Sequence, residues 1–184
     1  MKAKQKFGRW LMKITGWKLI GNPPQNTNFI FAIFPHTSYF DFLVGKMMNL
    51  YLGIPVHFMI KKEAFFFPLG LILKALGGVP INRKKPEKTM KTLLKKFNDE
   101  KKFVLVIAPE GTRKKVQKWK SGFWFFATKA NVPVVPTGMN YKTKTGYIGE
   151  PIYMTEDKQS DFEKLKSAYK SMDLYALHPK LSEL

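Results

Sequence analysis

Short apolar runs and longer stretches with helical spacing follow one another along the chain. The runs end in polar, glycine or proline residues, which is typical of buried strands. The stretches between them repeat apolar residues every three or four positions, which predicts helices. We expect strands at 29–34, 56–60, 78–82, 103–108 and 132–136, helices at about 38–50, 65–76, 86–98, 122–130 and 161–172, and a hairpin within 142–154. This alternation predicts an α/β fold, with a mixed, mostly parallel sheet flanked by helices.

The first twenty residues combine aromatic and basic side chains. Lysine and arginine fill the positions between the apolar residues of 4–20, and no acidic residue precedes Asp41. The apolar residues at helical spacing are Phe7, Trp10, Leu11, Ile14 and Trp17. Tryptophan among lysines is typical of the headgroup region, so we expect an amphipathic membrane-interface helix. The alternative is a helix packed on the domain with a solvated basic face.

Composition narrows the classes of partner and chemistry. The 184 residues suffice for one domain, and no boundary is visible within 1–184. A formal net charge of +19 indicates an anionic partner, which is nucleic acid, an anionic membrane or a phosphorylated substrate. The lack of cysteine excludes disulfides, thiolate nucleophiles and cysteine-based zinc sites, and the three histidines show no metal-ligand spacing, so no metal is expected. The nearest candidate for a membrane span, 64–81, is broken by prolines, a lysine and paired glycines.

A polar cluster follows the predicted strand 29–34. His36 and Asp41 stand five positions apart, and a histidine oriented by a carboxylate can take a proton from a hydroxyl that attacks a carbonyl. Ser38 and Asp41 also match a helix capping box, so the alternative is a purely structural helix start. The two roles are compatible, since a helix start would hold Asp41 in place.

A second cluster, Glu-Gly-Thr-Arg at 110–113, follows the predicted strand 103–108. Arg113 can grip phosphate oxygens, and Gly111 permits a positive φ or a close backbone approach. Glu110 follows an apolar run and needs a partner, for which Arg113 is a candidate. The alternative is an ordinary polar turn. Ligands of α/β sheets bind beyond the carboxyl ends of the strands, so the two clusters together predict the rim of an active site.

With two further blocks, these clusters resemble the glycerolipid acyltransferases of the lysophosphatidic acid acyltransferase family. The blocks, in family order, are His-x4-Asp at 36–41, a glycine-rich stretch ending in Arg83, Glu-Gly-Thr-Arg at 110–113 and a Val-Pro-rich strand at 132–136. The resemblance covers residues 29–140. The chain departs from the family pattern at Pro35, where Asn is common, and at Ala108, where Phe is common.

The resemblance implies a role for each matching residue. His36 would be the general base and Asp41 its orienting partner, with Ser38 in a positioning role. The residues implied to bind the acceptor, with the arginines and the lysine facing its phosphate, are Lys61, Arg83, Glu110, Gly111, Thr112 and Arg113.

The resemblance also implies the reaction and its surroundings. A fatty acyl group would pass directly from acyl-carrier protein or acyl-CoA, as co-substrate and without a further cofactor, to a lyso-phospholipid. The implied acceptor is 1-acylglycerol-3-phosphate and the product phosphatidic acid; another lyso-lipid or an amino-acid-derived lipid is the alternative. The enzyme would be peripheral or monotopic on the cytoplasmic face of an anionic membrane.

The segment 83–120 carries more cations than solubility requires. Anionic headgroups or an acidic acyl-carrier protein would fit it. The competing hypothesis is a nucleic-acid-binding module, because Lys118-Trp119-Lys120 interleaves cations with an aromatic ring. No nucleic-acid-binding motif is visible, and such a module leaves the four blocks unexplained, so no nucleic-acid partner is expected.

Overall fold

A computed structural model describes residues 3–25, 27–82 and 86–182 and shows one sheet with helices on both faces. The strands are β1 Lys18–Ile20, β2 Phe29–Ile33, β3 Val56–Lys61, β4 Gly78–Ile81, β5 Val104–Ile107, β6 Val134–Asn140 and β7 Thr145–Ile148. The helices are α1 Ala3–Thr15, α2 Phe40–Leu52, α3 Leu69–Ala75, α4 Pro86–Asp99, α5 Gly122–Ala130 and α6 Lys158–Lys170. Short 3-10 turns occupy Lys62–Ala64 and Pro179–Leu181.

The seven strands are ordered β1-β7-β6-β2-β5-β3-β4. Every pair is parallel except β6 with β7. The prediction of an α/β fold with a mixed, mostly parallel sheet is therefore confirmed. Strand β2 lies at the centre between β5 and β6, and its apolar sequence fits a strand covered on both faces. The carboxyl ends of β2, β5 and β6 therefore meet at one edge of the sheet.

The helices form one layer on each face of the sheet. Parallel crossovers are right-handed, which places α2 and α3 on one face and α4 and α5 on the other. Strand residues alternate between two cores accordingly. Ile30 packs in the larger core with Leu93 of α4 and Phe123 of α5, whereas Phe29 and Phe31 pack in the core that includes Leu52 of α2. Helix α1 joins the α2 layer through Met12, which packs on Met47 and Met48.

Several boundaries differ from those expected. The helix predicted at 4–20 ends at Thr15, because Gly16 adopts a φ of 75° and Lys18–Ile20 pairs with β7 as a strand. The strand predicted at 132–136 extends to Asn140, because its end pairs with β7. The hairpin is therefore formed by β6 and β7 and does not lie wholly within 142–154. Within the part of the chain that the structure describes, no helix has the length and apolar character needed to cross a bilayer.

Candidate active site

The first predicted cluster begins just beyond the carboxyl end of β2. His36 follows the strand after two residues, and Asp41 lies in the first turn of α2. Nδ1 of His36 and Oδ2 of Asp41 are 3.0 Å apart. Asp41 is buried, whereas about a quarter of the His36 side chain is exposed, so the ring can meet a ligand from solution. The structure therefore brings the two predicted catalytic residues into contact.

The carboxylate of Asp41 accepts four hydrogen bonds. Oδ2 accepts from the His36 ring and, at 2.8 and 2.9 Å, from the backbone N–H groups of Thr37 and Ser38. Oδ1 accepts from the Tyr141 hydroxyl at 2.6 Å. Burial acts to raise the pKa of Asp41, but hydrogen bonds from the His36 ring, the Tyr141 hydroxyl and the backbone outweigh it and hold the pKa below the usual 3.8. Asp41 therefore stays ionised at neutral pH.

An ionised Asp41 determines which nitrogen of His36 can act as a base. A carboxylate only accepts hydrogen bonds, so the proton of the neutral imidazole lies on Nδ1. The lone pair is then on Nε2. This is the protonation state that a general base requires.

The predicted capping box is half formed. The Asp41 carboxylate accepts from the Ser38 N–H, as that motif requires. The Ser38 hydroxyl instead accepts from the N–H of Phe40 at 3.1 Å. Helix α2 begins at Phe40, two residues after Ser38, so that hydroxyl meets an N–H nearer than the one expected. The helix start therefore holds Asp41 while Asp41 orients His36, and the structural and catalytic roles coexist.

Glu110 of the second cluster contacts the first one. Its Oε2 accepts from the backbone N–H of His36 at 2.8 Å, and its side chain is 2% exposed. Burial raises the pKa of Glu110 to about 7, although hydrogen bonding to His36 acts in the opposite direction. The structure thus gives Glu110 a partner in His36, whereas the expected partner was Arg113. That Glu110 also binds the acceptor stays a prediction.

The other three residues of the second cluster make contacts of their own. Gly111 adopts a φ of 65°, and a Cβ atom there would lie 2.9 Å from Cγ of Lys120. The Thr112 hydroxyl accepts from the Lys114 N–H at 3.3 Å. The guanidinium carbon of Arg113 lies 3.5 Å from the centre of the Tyr39 ring, a cation–π contact just before α2. Arg113 is therefore held next to the start of α2, and its contact is the Tyr39 ring rather than the carboxylate of Glu110.

The two remaining predicted residues lie farther from the dyad or are not described. Lys61 ends β3, is exposed, and lies at the same edge of the sheet as His36. Strand β3 is two strands from β2, about 10 Å across the sheet. Arg83 lies outside the described residues, so its role stays a prediction. Among the described residues, no group of His, Asp and Glu side chains is arranged to hold a metal ion.

Tyr141 is the functional residue that sequence reasoning missed. It directly follows β6, whose carboxyl end lies beside that of β2. Its ring packs edge-on against Trp17, with the ring centres 5.3 Å apart. Burial and the nearby Asp41 raise the pKa of Tyr141, so its hydroxyl keeps the proton that it donates. A polar side chain just after a strand was the available signal, but the predicted strand 132–136 stopped short of it.

An apolar cavity of about 90 Å³ lies beside the dyad, between α2 and the sheet. Asp41 is one of the few polar residues that line it. Its apolar wall includes Phe31, Phe42, Met48, Phe58 and Met139. The cavity is smaller than the ~150 Å³ cavities that hold a benzene ring, so only a short length of hydrocarbon fits without rearrangement.

A histidine base oriented by a buried carboxylate, beside an apolar cavity at the rim of a parallel sheet, can deprotonate an alcohol for attack on an acyl group. Such an arrangement suits an enzyme that activates a hydroxyl by general-base catalysis.

Residues 19–140 match the family model described as Acyltransferase. Because the match spans more than half of the chain, the protein belongs to the acyltransferase family and is an O-acyltransferase by that membership. The four sequence blocks therefore predicted the acyltransferase family correctly. The lysophosphatidic acid acyltransferase subtype stays a prediction. A search of curated proteins found no match to the chain.

Trp17 and Tyr141 both lie just outside the matched residues, so their contact joins the two borders of the matched segment.

Proposed function

We propose that this protein transfers a fatty acyl group from an acyl thioester to the hydroxyl of a lyso-glycerophospholipid at a membrane surface. The proposed acceptor is 1-acylglycerol-3-phosphate, and the product is phosphatidic acid. The observation that carries the proposal is the His36–Asp41 contact, which leaves Nε2 of His36 free to act as a base in a chain of the acyltransferase family.

The reaction needs no covalent enzyme intermediate. Nε2 of His36 takes the proton of the acceptor hydroxyl as its oxygen attacks the thioester carbonyl. The imidazolium that forms is stabilised by the ionised Asp41. When the tetrahedral intermediate collapses, the carbon–sulfur bond breaks and the thiolate takes the proton from His36. Ser38 is occupied at the start of α2, with its hydroxyl accepting from Phe40, which supports a positioning role over a nucleophilic one.

Two cations, Arg113 and Lys61, support a phosphorylated acceptor. Arg113 is held against Tyr39, next to the start of α2, and Lys61 lies at the same edge of the sheet. A guanidinium can bind two phosphate oxygens at once. In the proposed complex the phosphate of the acceptor lies against Arg113, and its free hydroxyl points to His36.

The acyl donor is acyl-carrier protein or acyl-CoA, and both are anionic. A basic surface for the donor is formed by exposed lysines of α4, on the face of the sheet opposite α2, and of the residues that follow α4. These lysines include Lys88, Lys91, Lys95, Lys101, Lys114 and Lys118. The apolar cavity beside Asp41 takes the part of the acyl chain nearest the thioester.

The proposal is tested by an acyltransferase assay with both donors. The acceptor panel contains lysophosphatidic acid, lysophosphatidylcholine and a lyso-lipid built on an amino acid. We expect the phosphate monoester to react fastest. His36→Ala should lower the rate at least about a hundredfold, because it removes the general base, without altering the circular dichroism spectrum.

The matched control is His178→Ala, which removes an exposed imidazole but keeps the backbone N–H that contacts Thr37. It should retain the parent rate. A His36→Ala variant with the parent rate would exclude the mechanism, and a preference for the amino-acid-based acceptor would replace the proposed substrate.

A further inference from the structure

The helical layer formed by α1, α2 and α3 carries most of the large apolar side chains that are exposed among the described residues. They are Phe7, Trp10, Ile14, Phe40, Leu43, Tyr51, Phe66, Phe67, Leu69, Leu71 and Ile72. By contrast, within the described residues none of these exposed side chains belongs to α4, α5 or α6. An exposed apolar surface confined to one side of a protein marks an interaction site.

The three helices lie on the same face of the sheet, so their exposed residues point away from that face. Helix α1 packs closely on α2, since a Cβ atom at Gly8 would lie 2.3 Å from the backbone nitrogen of Tyr51. Helix α2 reaches the end of α3 through Lys46, whose Nζ donates to the carbonyl of Leu76 at 2.8 Å. The side of the layer that faces the sheet is thus packed against other parts of the protein. The side that faces away from the sheet has no protein partner within the described residues.

The segment 65–72 is the most exposed part of this layer. It consists of the loop before α3 and the first turn of that helix, and Phe67 is 84% exposed. Lysines lie at both ends of the segment, Lys61 and Lys62 before it and Lys74 after it. A cluster of phenylalanines and leucines between lysines can bury its apolar side chains while the ammonium groups stay in water.

The charges of this layer indicate that its partner is anionic. Residues 1–78 contain only two acidic residues, Asp41 and Glu63, and Asp41 is buried in the dyad. The same layer carries cations on α1, which are Lys4, Lys6, Arg9 and Lys13. Exposed apolar side chains and cations on the same layer match the acyl chains and phosphates of an anionic bilayer.

We propose that residues 65–72 are a second membrane-docking element, which enters the interface of an anionic bilayer together with α1. The inference rests on the proposed function, because it supplies the way in which a membrane-borne acceptor reaches the dyad. Asp41 lies in the first turn of α2, and α1 packs on the later turns of the same helix. Contact at both elements places the start of α2, and with it His36, close to the lipid headgroups.

The chain has no cysteine, so a single introduced cysteine can carry an environment-sensitive NBD fluorophore. Leu71→Cys reports on the proposed element. Tyr153→Cys is the matched control, because Leu71 and Tyr153 are 61% and 60% exposed, and Tyr153 lies between β7 and α6. On addition of vesicles of phosphatidylglycerol and phosphatidylcholine, the label at 71 should shift to the blue and brighten several-fold. The label at 153 should not respond.

A second experiment measures binding without a label. Phe66→Ser combined with Leu71→Ser should lower co-sedimentation with the same vesicles about tenfold or more, since both side chains would otherwise leave water. Tyr153→Ser should leave it unchanged.

The inference is overturned if the label at 71 behaves like the label at 153 while the protein still binds vesicles, which would leave α1 as the docking element. It is also overturned if the label at 71 responds to acyl-carrier protein and not to vesicles. Neither measurement involves turnover, so a wrong acceptor in the proposed function would not affect them.

Discussion

The carboxylate of Asp41 is where the residues of the site converge. It orients the His36 ring, accepts from two backbone N–H groups at the start of α2, and accepts from Tyr141. Tyr141 in turn packs on Trp17, just after α1. The hydroxyl of Tyr141 is thus a positioning group that connects the dyad to the N-terminal part of the chain. A change at Tyr141 should act on the reaction through Asp41.

Tyr141→Phe tests this connection. The variant leaves the buried carboxylate with one donor fewer, so Asp41 becomes more basic and holds the His36 proton more strongly. The rate requires neutral His36, so the acid limb of the kcat/KM profile should move to higher pH. Without the Tyr141 hydroxyl the Asp41 carboxylate and the His36 ring are also less firmly positioned, so kcat should fall about tenfold.

The measurement is a pH profile of kcat/KM, with Tyr153→Phe as the control. Tyr153 is exposed, so that variant should keep both the rate and the profile of the parent. A Tyr141→Phe enzyme with an unchanged acid limb would show that the hydroxyl serves folding alone.

At the scale of elements, the sequence patterns predicted those helices and strands that depend on interactions between residues near one another in the chain. The strands before His36 and Glu110 were predicted correctly because their apolar runs are buried on both faces. The structure places them next to each other as β2 and β5. The contact of Tyr141 with Asp41 joins residues 100 positions apart, and no local pattern encodes it. This contact requires β6 to continue to Asn140, and β6 does so because its end pairs with β7. The end of α1 at Thr15 likewise depends on pairing with β7, here by β1.

The packing of α1 on α2 depends on one glycine. A Cβ atom at Gly8 would lie 2.3 Å from the backbone nitrogen of Tyr51 and 2.5 Å from the carbonyl carbon of Leu50, and neither atom can rotate away. The two helix backbones therefore approach as closely as they do because residue 8 has no side chain.

Gly8→Ala should separate the two helices. Alanine favours an isolated helix by up to about 1 kcal/mol, but overpacking against a backbone costs about 1–3 kcal/mol, so we expect a net loss of stability. Gly122→Ala is the control, because nothing lies within 4 Å of a Cβ atom there, and it should be neutral or stabilising. Urea unfolding of both variants measures the difference. Equal stabilities would show that α1 can shift without cost.

At the scale of the whole molecule, the sheet separates two surfaces of different character. The α1–α3 layer combines cations with exposed apolar side chains, whereas α4 exposes lysines with no large apolar side chain beside them among the described residues. An anionic bilayer suits the first surface, and an anionic soluble donor suits the second. In the proposed function, the net charge of +19 is shared between two anionic partners on opposite faces, and the site lies at the edge of the sheet between them.

Glu110 makes the stability of the whole protein depend on pH near neutrality. Burial raises its pKa from the usual 4.5 to about 7. The unfolded chain releases the Glu110 proton above about pH 4.5, whereas the folded protein releases it only above about pH 7. Between these values the folded state binds more protons, so stability falls as pH rises, by at most about 3 kcal/mol. Asp41, with its lowered pKa, acts in the opposite sense and only below about pH 4, outside this window.

Glu110→Gln should remove this dependence. The amide oxygen of glutamine can still accept from the His36 N–H, so the site keeps its geometry while the titrating group is lost. Between about pH 4.5 and pH 7 we expect the free energy of unfolding of the parent to fall relative to that of the variant, so that the variant becomes the more stable of the two at pH 7 and above. Half-buried His57, whose lowered pKa acts in the opposite sense, is present in both proteins and cancels in this difference. Urea unfolding at a series of pH values measures both curves. Parallel curves would mean that Glu110 is already ionised at the lower pH and that another group accounts for the dependence.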